Sequence, residues 1–247
     1  MAFIHSFEKS GNTLFKYRGQ IPVILFILAI PVLYFTEYLI FDKIFYQVIA
    51  GVSIIISLLG FIVRAYTIGT TPKGTSGRNT QNQVAESLNE TGIYSIVRHP
   101  LYLGNYLMWI GIVAFTFNIY FFFIVSLAFW IYYERIMFAE ERFLERKFGE
   151  LYLAWSLKVP AFIPCFSKFQ KSNVPFSLKS VLRREYSGVL ATVLGFTFID
   201  LLRIYILTHQ FEWQRPSVFV LIAAIVLALV LRTIKHQTNW LNEEGRS

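Results

Sequence analysis

Two stretches of the chain carry polar side chains in patterns suited to chemistry, and each adjoins a long apolar run. The first reads Gly92-Ile93-Tyr94-Ser95-Ile96-Val97-Arg98-His99-Pro100-Leu101-Tyr102-Leu103-Gly104-Asn105. Proline suits the first turn of a helix, where its missing N–H is not needed, so a helix is expected to start at Pro100. On that helix His99, Tyr102, Leu103 and Tyr106 share one face. The N–H groups of the first turn would attract a carboxylate or a phosphate. The plainer reading is an interfacial Tyr/His belt that anchors the helix to lipid headgroups.

The second stretch runs from Glu134 to Trp155. On a helical projection Glu134, Glu141 and Glu145 fall together, and Arg135, Arg142 and Arg146 form the adjoining stripe. These read as solvated faces with i,i+4 pairing. Glu140 instead projects into the apolar arc made by Tyr133, Ile136, Met137, Phe143, Leu144 and Leu151. A carboxylate there must find a partner or stay protonated. A salt bridge to Lys147 would satisfy it, and so would a ligand's cation or hydroxyls.

The elements that must position these groups follow from composition. Of 247 residues 55% are hydrophobic and only 15% charged, against about 25% charged in a soluble domain. A hydrocarbon core of about 30 Å asks for roughly 20 apolar helical residues. Six runs approach that: Ile21–Phe41, Ile44–Val63, Leu101–Phe117, Ile119–Phe138, Ser187–Leu207 and Ser217–Leu231. The expected fold is all-α, a transmembrane bundle of about six spans arranged as three hairpins, with polar cytoplasmic loops between them. Residues 1–44 hold the N-terminal segment and first span, 45–166 the segment that carries the two polar stretches, which is the cofactor-binding core by the resemblance given below, and 167–247 a polar linker with the third hairpin.

Nearly all of the 23 Lys and Arg residues lie in the N-terminal segment, the two large polar segments and the tail. Only Lys43 and Arg215 fall in loops on the other side, and Arg203 lies within a run. The positive-inside rule therefore puts both termini and both polar segments in the cytoplasm. The net charge of +8 is explained by topology and anionic lipid, with no need for nucleic acid. A single cysteine excludes a disulfide framework. The four histidines, His5, His99, His209 and His236, lack ligand spacing, so no metal site is expected. Gly74-Thr75-Ser76-Gly77 lacks the lysine of a phosphate-binding loop. Asp200 and Arg203, three apart in the fifth run, form a buried-charge candidate.

The string Gly92-x-Tyr94-x-x-x-Arg98-His99-Pro100-x-Tyr102-x-Gly104 is followed by Glu140-Glu141, Phe148-Gly149-x-x-Tyr152 and Val159-Pro160-x-Phe162-Ile163-Pro164. In these motifs the chain resembles the isoprenylcysteine carboxyl methyltransferase and phospholipid methyltransferase superfamily. The resemblance implies an integral-membrane enzyme that moves a methyl group from S-adenosylmethionine to a lipid-linked acceptor. It implies cofactor contacts at Tyr94, His99, Pro100, Leu101, Tyr102 and Glu140, and by offset alone at Glu86, Ser87, Leu88 and Asn89. It gives catalytic parts to Arg98, His99 and Glu140, and substrate contacts to Arg135 and Asn105. Prenylcysteine enzymes carry an arginine where this chain has Ile136, with Arg135 beside it. The acceptor group thus stays open among a prenylcysteine-type carboxylate, a headgroup amine and a lipid phosphate.

Two other classes compete. A sterol-type reductase using NADPH shares a related hairpin, but usually carries Asn-Tyr and Gly-Glu where this chain has Leu101-Tyr102 and Gly104-Asn105. A transporter or scaffold would need a polar stripe through several spans, and only Asp200 and Arg203 lie deep enough to suggest one. The third hairpin lies outside the resemblance. Ending the chain after Lys171 is therefore expected to spare S-adenosylmethionine binding while impairing methylation of the lipid.

Overall fold

A computed structural model describes residues 2–75 and 83–246, so Ser76, Gly77 and Arg78 lie outside the described residues. The described chain is helical: α1 (Ala2–Tyr17), α2 (Ile21–Phe35), α3 (Lys43–Gly69), α4 (Pro100–Ala114), α5 (Ile119–Phe148), α6 (Glu150–Ser156), α7 (Leu178–Thr208) and α8 (Pro216–Gln237). By length and composition α3, α5, α7 and α8 can cross a bilayer, and α2 and α4 are shorter apolar helices. These six are the six apolar runs, and the chain is a membrane helical bundle.

Local chemistry fixes the boundaries. The side chains of Asp42, Asn118 and Ser177 accept from the backbone N–H groups of Phe45, Phe121 and Ser180, capping α3, α5 and α7. Pro100 and Pro216 open α4 and α8. Gly149, at φ 54°, takes a conformation costly for other residues and separates α5 from α6. Two runs end as helix earlier than expected, at Phe35 and Ala114. The residues after them form the turns at one end of the bundle. Conversely α7 starts at Leu178, so part of the expected linker is helix.

The 30 residues of α5 span about 45 Å at 1.5 Å per residue, more than the hydrocarbon core. Its last turns, with Glu140 and Glu141, therefore project beyond the apolar slab. The same holds for the first turns of α7, with Arg184 and Glu185.

Helices α3 and α4 make the most extensive pairing, through small residues that let backbones approach. A Cβ added at Gly60 would lie 2.6 Å from Gly104 O and 2.7 Å from Met108 N; one added at Gly111 would lie 2.5 Å from Ser53 O. We expect Gly60→Val to force α3 and α4 apart, at about 1–3 kcal/mol or more. A lowered melting temperature of the detergent-solubilised protein checks this, and an unchanged one would mean that the contact is not tight.

The amphipathic helix α1 was not expected. It lies along the projecting end of α5: a Cβ at Gly11 would meet Arg135 O and Ala139 Cβ, Phe7 packs edge-on against Phe138 at 5.4 Å, and Tyr132 Oη donates to Leu14 O at 2.6 Å. Its end, with Phe15 and Arg18, reaches the cavity described below.

At the opposite end the turns after α2, α4 and α7 meet around Arg203. Its guanidinium pairs with Asp200 at 3.0 Å, donates to Phe115 O at 3.2 Å, and lies 4.6 Å and 4.7 Å from the rings of Phe115 and Tyr46. Asp200 also binds Arg215 and Ser217 at 2.7 Å each. The two intramembrane charges thus pair with each other and clamp the turns. They lie away from the groups singled out for chemistry.

Candidate functional site

The loop between α3 and α4 is held by backbone bonds. Gly92, at φ 63°, starts a tight turn, and its N–H donates to Gln170 O at 2.9 Å. Arg98 N and His99 N donate to Pro160 O and Ala161 O at 2.9 Å and 3.1 Å, and Cys165 N donates to Ile96 O at 2.9 Å. The Val159–Pro164 motif is therefore a clasp. It fixes His99 at the mouth of α4.

From there the side chains converge. Tyr102 Oη donates to Glu140 Oε1 at 2.6 Å, and His99 Nδ1 lies 3.7 Å from Glu140 Oε2. His99 Nε2 lies 2.8 Å from Glu141 Oε1, which also pairs with Arg98 Nε at 3.2 Å. The partner of Glu140 is thus Tyr102 rather than Lys147. Glu141 is not on a solvated face, because the Arg98-His99 loop folds over it.

Except for Glu141, which lies behind His99, these groups border a cavity of about 400 Å³ between α1, α3, α4, α5, α6 and the start of α7. Among the residues singled out from sequence, Tyr94, Arg98, His99, Pro100, Leu101, Tyr102, Asn105 and Glu140 line it. Arg18, Arg64, Arg184 and Glu185 line it too and were missed. Arg64 forms a bidentate pair with Glu185, 2.7 Å on each arm, and donates to Asn105 Oδ1 at 2.7 Å. Burial and the charge of Glu140 push the Tyr94 hydroxyl up to about 12, so it stays protonated.

Other expected residues sit elsewhere. Arg135 turns toward α1, over the Phe7 ring at 5.1 Å and within 3.3 Å of Ser10 Oγ. Leu88 packs against the cluster of Tyr152, Trp155 and Val159, and Asn89 reaches the Tyr94 hydroxyl. Glu86 approaches Gly74. Ala85 lines the cavity, whereas Glu86, Ser87, Leu88 and Asn89 are not among the lining residues. Arg98 lines the cavity, but its Nη1 donates to Ser156 O at 2.8 Å. Its guanidinium therefore ties the loop to α5 and α6. Among the described residues no group of three or more His, Cys, Asp or Glu side chains is placed to hold a metal.

Because Glu141 is the acceptor for His99, Glu141→Gln should disturb the site, where the helical projection alone expects silence. We expect a double-mutant cycle with His99→Ala to give a coupling of about 0.5–3 kcal/mol in stability. Strict additivity would show that the contact contributes nothing.

Residues 46–151 match the family model described as phospholipid methyltransferase. Over 98 residues the chain is 35% identical to the nickel-cobalt-cadmium resistance protein NccN of Alcaligenes xylosoxydans, covering 40% of this chain and 43% of that one. It is 29% identical over 114 residues to the protein-S-isoprenylcysteine O-methyltransferase of Schizosaccharomyces pombe, covering 44% and 48%. It is 34% identical over 95 residues to the cobalt-zinc-cadmium resistance protein CzcN of Cupriavidus metallidurans, covering 38% and 41%. The chain thus spans less than half the length of the curated relatives it matches. No solved structure matches. The matched segment contains α4, α5 and the loop before them, and with them His99, Tyr102 and Glu140.

Proposed function

We propose that this chain is an integral-membrane methyltransferase that transfers the methyl group of S-adenosylmethionine to a lipid-linked acceptor in the cavity at the projecting end of α5. One observation carries the reading. The run from Tyr94 to Asn105 and the out-of-place Glu140 meet around one cavity, within or beside a segment that matches phospholipid methyltransferases. The distribution of Lys and Arg supports a cytoplasmic position for that cavity.

The residues present fit the cofactor. A cavity of about 400 Å³ lies within the usual range of about 300–1,000 Å³ for small-molecule sites. Glu140 suits ribose hydroxyls or an ammonium group, and the Tyr94 hydroxyl is a donor. Arg18 and the first-turn N–H groups of α4 at Leu101 and Tyr102, which have no intrahelical acceptor, suit a carboxylate. The faces of Tyr102, Trp109 and Tyr133 suit a sulfonium by cation–π attraction. When bound, S-adenosylmethionine supplies a methyl group on a good leaving group. The protein contributes alignment and dryness.

A carboxylate or phosphate acceptor needs no base, whereas an ammonium must first lose a proton. Of the two ring nitrogens of His99, Nε2 is held by Glu141 at 2.8 Å, so Nδ1, which lies 3.7 Å from Glu140 Oε2, is the atom that would take such a proton.

The test is protection against heat. S-adenosylmethionine at about a hundred times its Kd should stabilise the purified protein by about 2.7 kcal/mol, and NADPH should not. Stabilisation by NADPH alone would favour a reductase and refute the proposal.

A further inference from the structure

A second cavity, about 160 Å³, lies within the bundle between α2, α4 and α7, walled by Phe26, Met108, Ile112, Ala191, Thr192 and Gly188 among others. It shares Arg64, Asn105 and Trp109 with the polar cavity, so the two adjoin at these three side chains. From Asn105 to Val113 it follows α4 for about 12 Å. Its size is close to that of the roughly 150 Å³ apolar cavity that stays dry and takes up benzene.

Small residues on membrane helices ordinarily let a neighbouring backbone approach. Gly195 of α7 fits that rule, since an added Cβ would lie 2.9 Å from Ile112 Cδ1. Gly188 does not. A Cβ there would meet only Glu185 Oε2 at 3.5 Å and Met108 Cε at 4.0 Å. The small side chains near the start of α7 therefore leave space open instead of closing a helix contact. The space begins beside Arg64 and Asn105 of the larger cavity and continues past Met108 and Ile112 toward Val113 and Ile199.

We propose that this apolar cavity holds the first carbons of the acceptor's hydrocarbon chain, and that Gly188 and Ala191 of α7 set the bulk it admits. The proposal rests on the methyltransferase reading for the identity of the headgroup. The chain site itself is carried by the adjacency of the two cavities, which share Arg64, Asn105 and Trp109 as walls, and by the space left open at Gly188. A glycerolipid acyl chain and a prenyl chain share the chemistry that would fill it.

The experiment uses the full-length protein in phospholipid vesicles with two photoreactive probes. One is a phosphatidylethanolamine with a diazirine near the carboxyl end of one acyl chain. The other is an S-prenylcysteine with a diazirine in its prenyl chain. Adducts are mapped by mass spectrometry. Adducts on residues of the cavity, such as Met108 or Thr192, are expected with at least one probe, and which probe labels tells the chain class. Ala191→Phe, which fills the space, should reduce those adducts at least tenfold while S-adenosylmethionine still protects the protein from heat. Should that variant fail to fold, Gly188→Leu takes its place, and the adduct map of the unaltered protein tests the site without any variant. Adducts confined to the lipid-facing surface, or equal inside the cavity with and without the filling side chain, would overturn the proposal. Absence of heat protection by S-adenosylmethionine in the unaltered protein would instead overturn the methyltransferase reading, whatever the adduct map shows.

Discussion

Glu140→Gln is expected to weaken S-adenosylmethionine binding about ten- to hundredfold, with the melting temperature of the ligand-free protein almost unchanged. The asymmetry follows from what the carboxylate touches. Its direct bond is from the Tyr102 hydroxyl at 2.6 Å, and the glutamine carbonyl can accept the same bond. His99 Nδ1 is 3.7 Å away, too far for a strong hydrogen bond, so folding draws little on the charge of Glu140. A ligand's hydroxyls or ammonium would depend on it, because a hydrogen bond to a charged group contributes about 1.5–3 kcal/mol. Calorimetry on both proteins decides the matter. Equal affinities would remove Glu140 from the binding site, and a lower melting temperature for the ligand-free variant would make it structural.

The apolar helices were legible because each is a run long enough to stand out from its surroundings, and Asp42 and Asn118 mark turns by the caps they provide. Glu140 was legible because it breaks an apolar arc, a conflict visible within one helix. Glu141 was misread for the same reason: a projection of α5 knows nothing of the loop that the Val159–Pro164 clasp folds onto it. Arg135 was expected near the acceptor, yet it faces α1. That helix has an amphipathic pattern in Phe3, Phe7, Leu14 and Phe15, but it precedes the first long apolar run and is easily passed over. The pair of Arg64 and Glu185 left no local trace at all. Its members are 121 residues apart, and each sits at the edge of an apolar run where an ordinary interfacial charge would also sit. Periodicity reports which face of a helix is buried, never which distant residue meets it.

That pair carries the second large effect. Glu185 is 2% exposed and Arg64 17%, so removing one partner leaves a largely buried charge without its counterion. Glu185→Ala should therefore destabilise the protein by about 3–5 kcal/mol, and a double change to Arg64→Met and Glu185→Leu should recover much of the loss. The consequence reaches the whole third hairpin. Arg184 and Glu185 line the polar cavity; Ser177 N donates to Gly69 O at 2.8 Å; and Arg246 Nη1 donates to the carbonyls of Gly69 and Thr71 at 3.1 Å and 3.2 Å. The sequence alone suggested that a chain ended after Lys171 would keep its cofactor. With a cavity wall and the counterion of Arg64 gone, the truncated protein should lose both heat protection by S-adenosylmethionine and lipid methylation. The comparison of Glu185→Ala with the truncation separates the causes. If the point change melts low but still gains protection, the wall remains and only the ion pair was lost. If the truncated chain inserts and binds the cofactor as the full chain does, the hairpin is an accessory anchor and Glu185 is no part of the site.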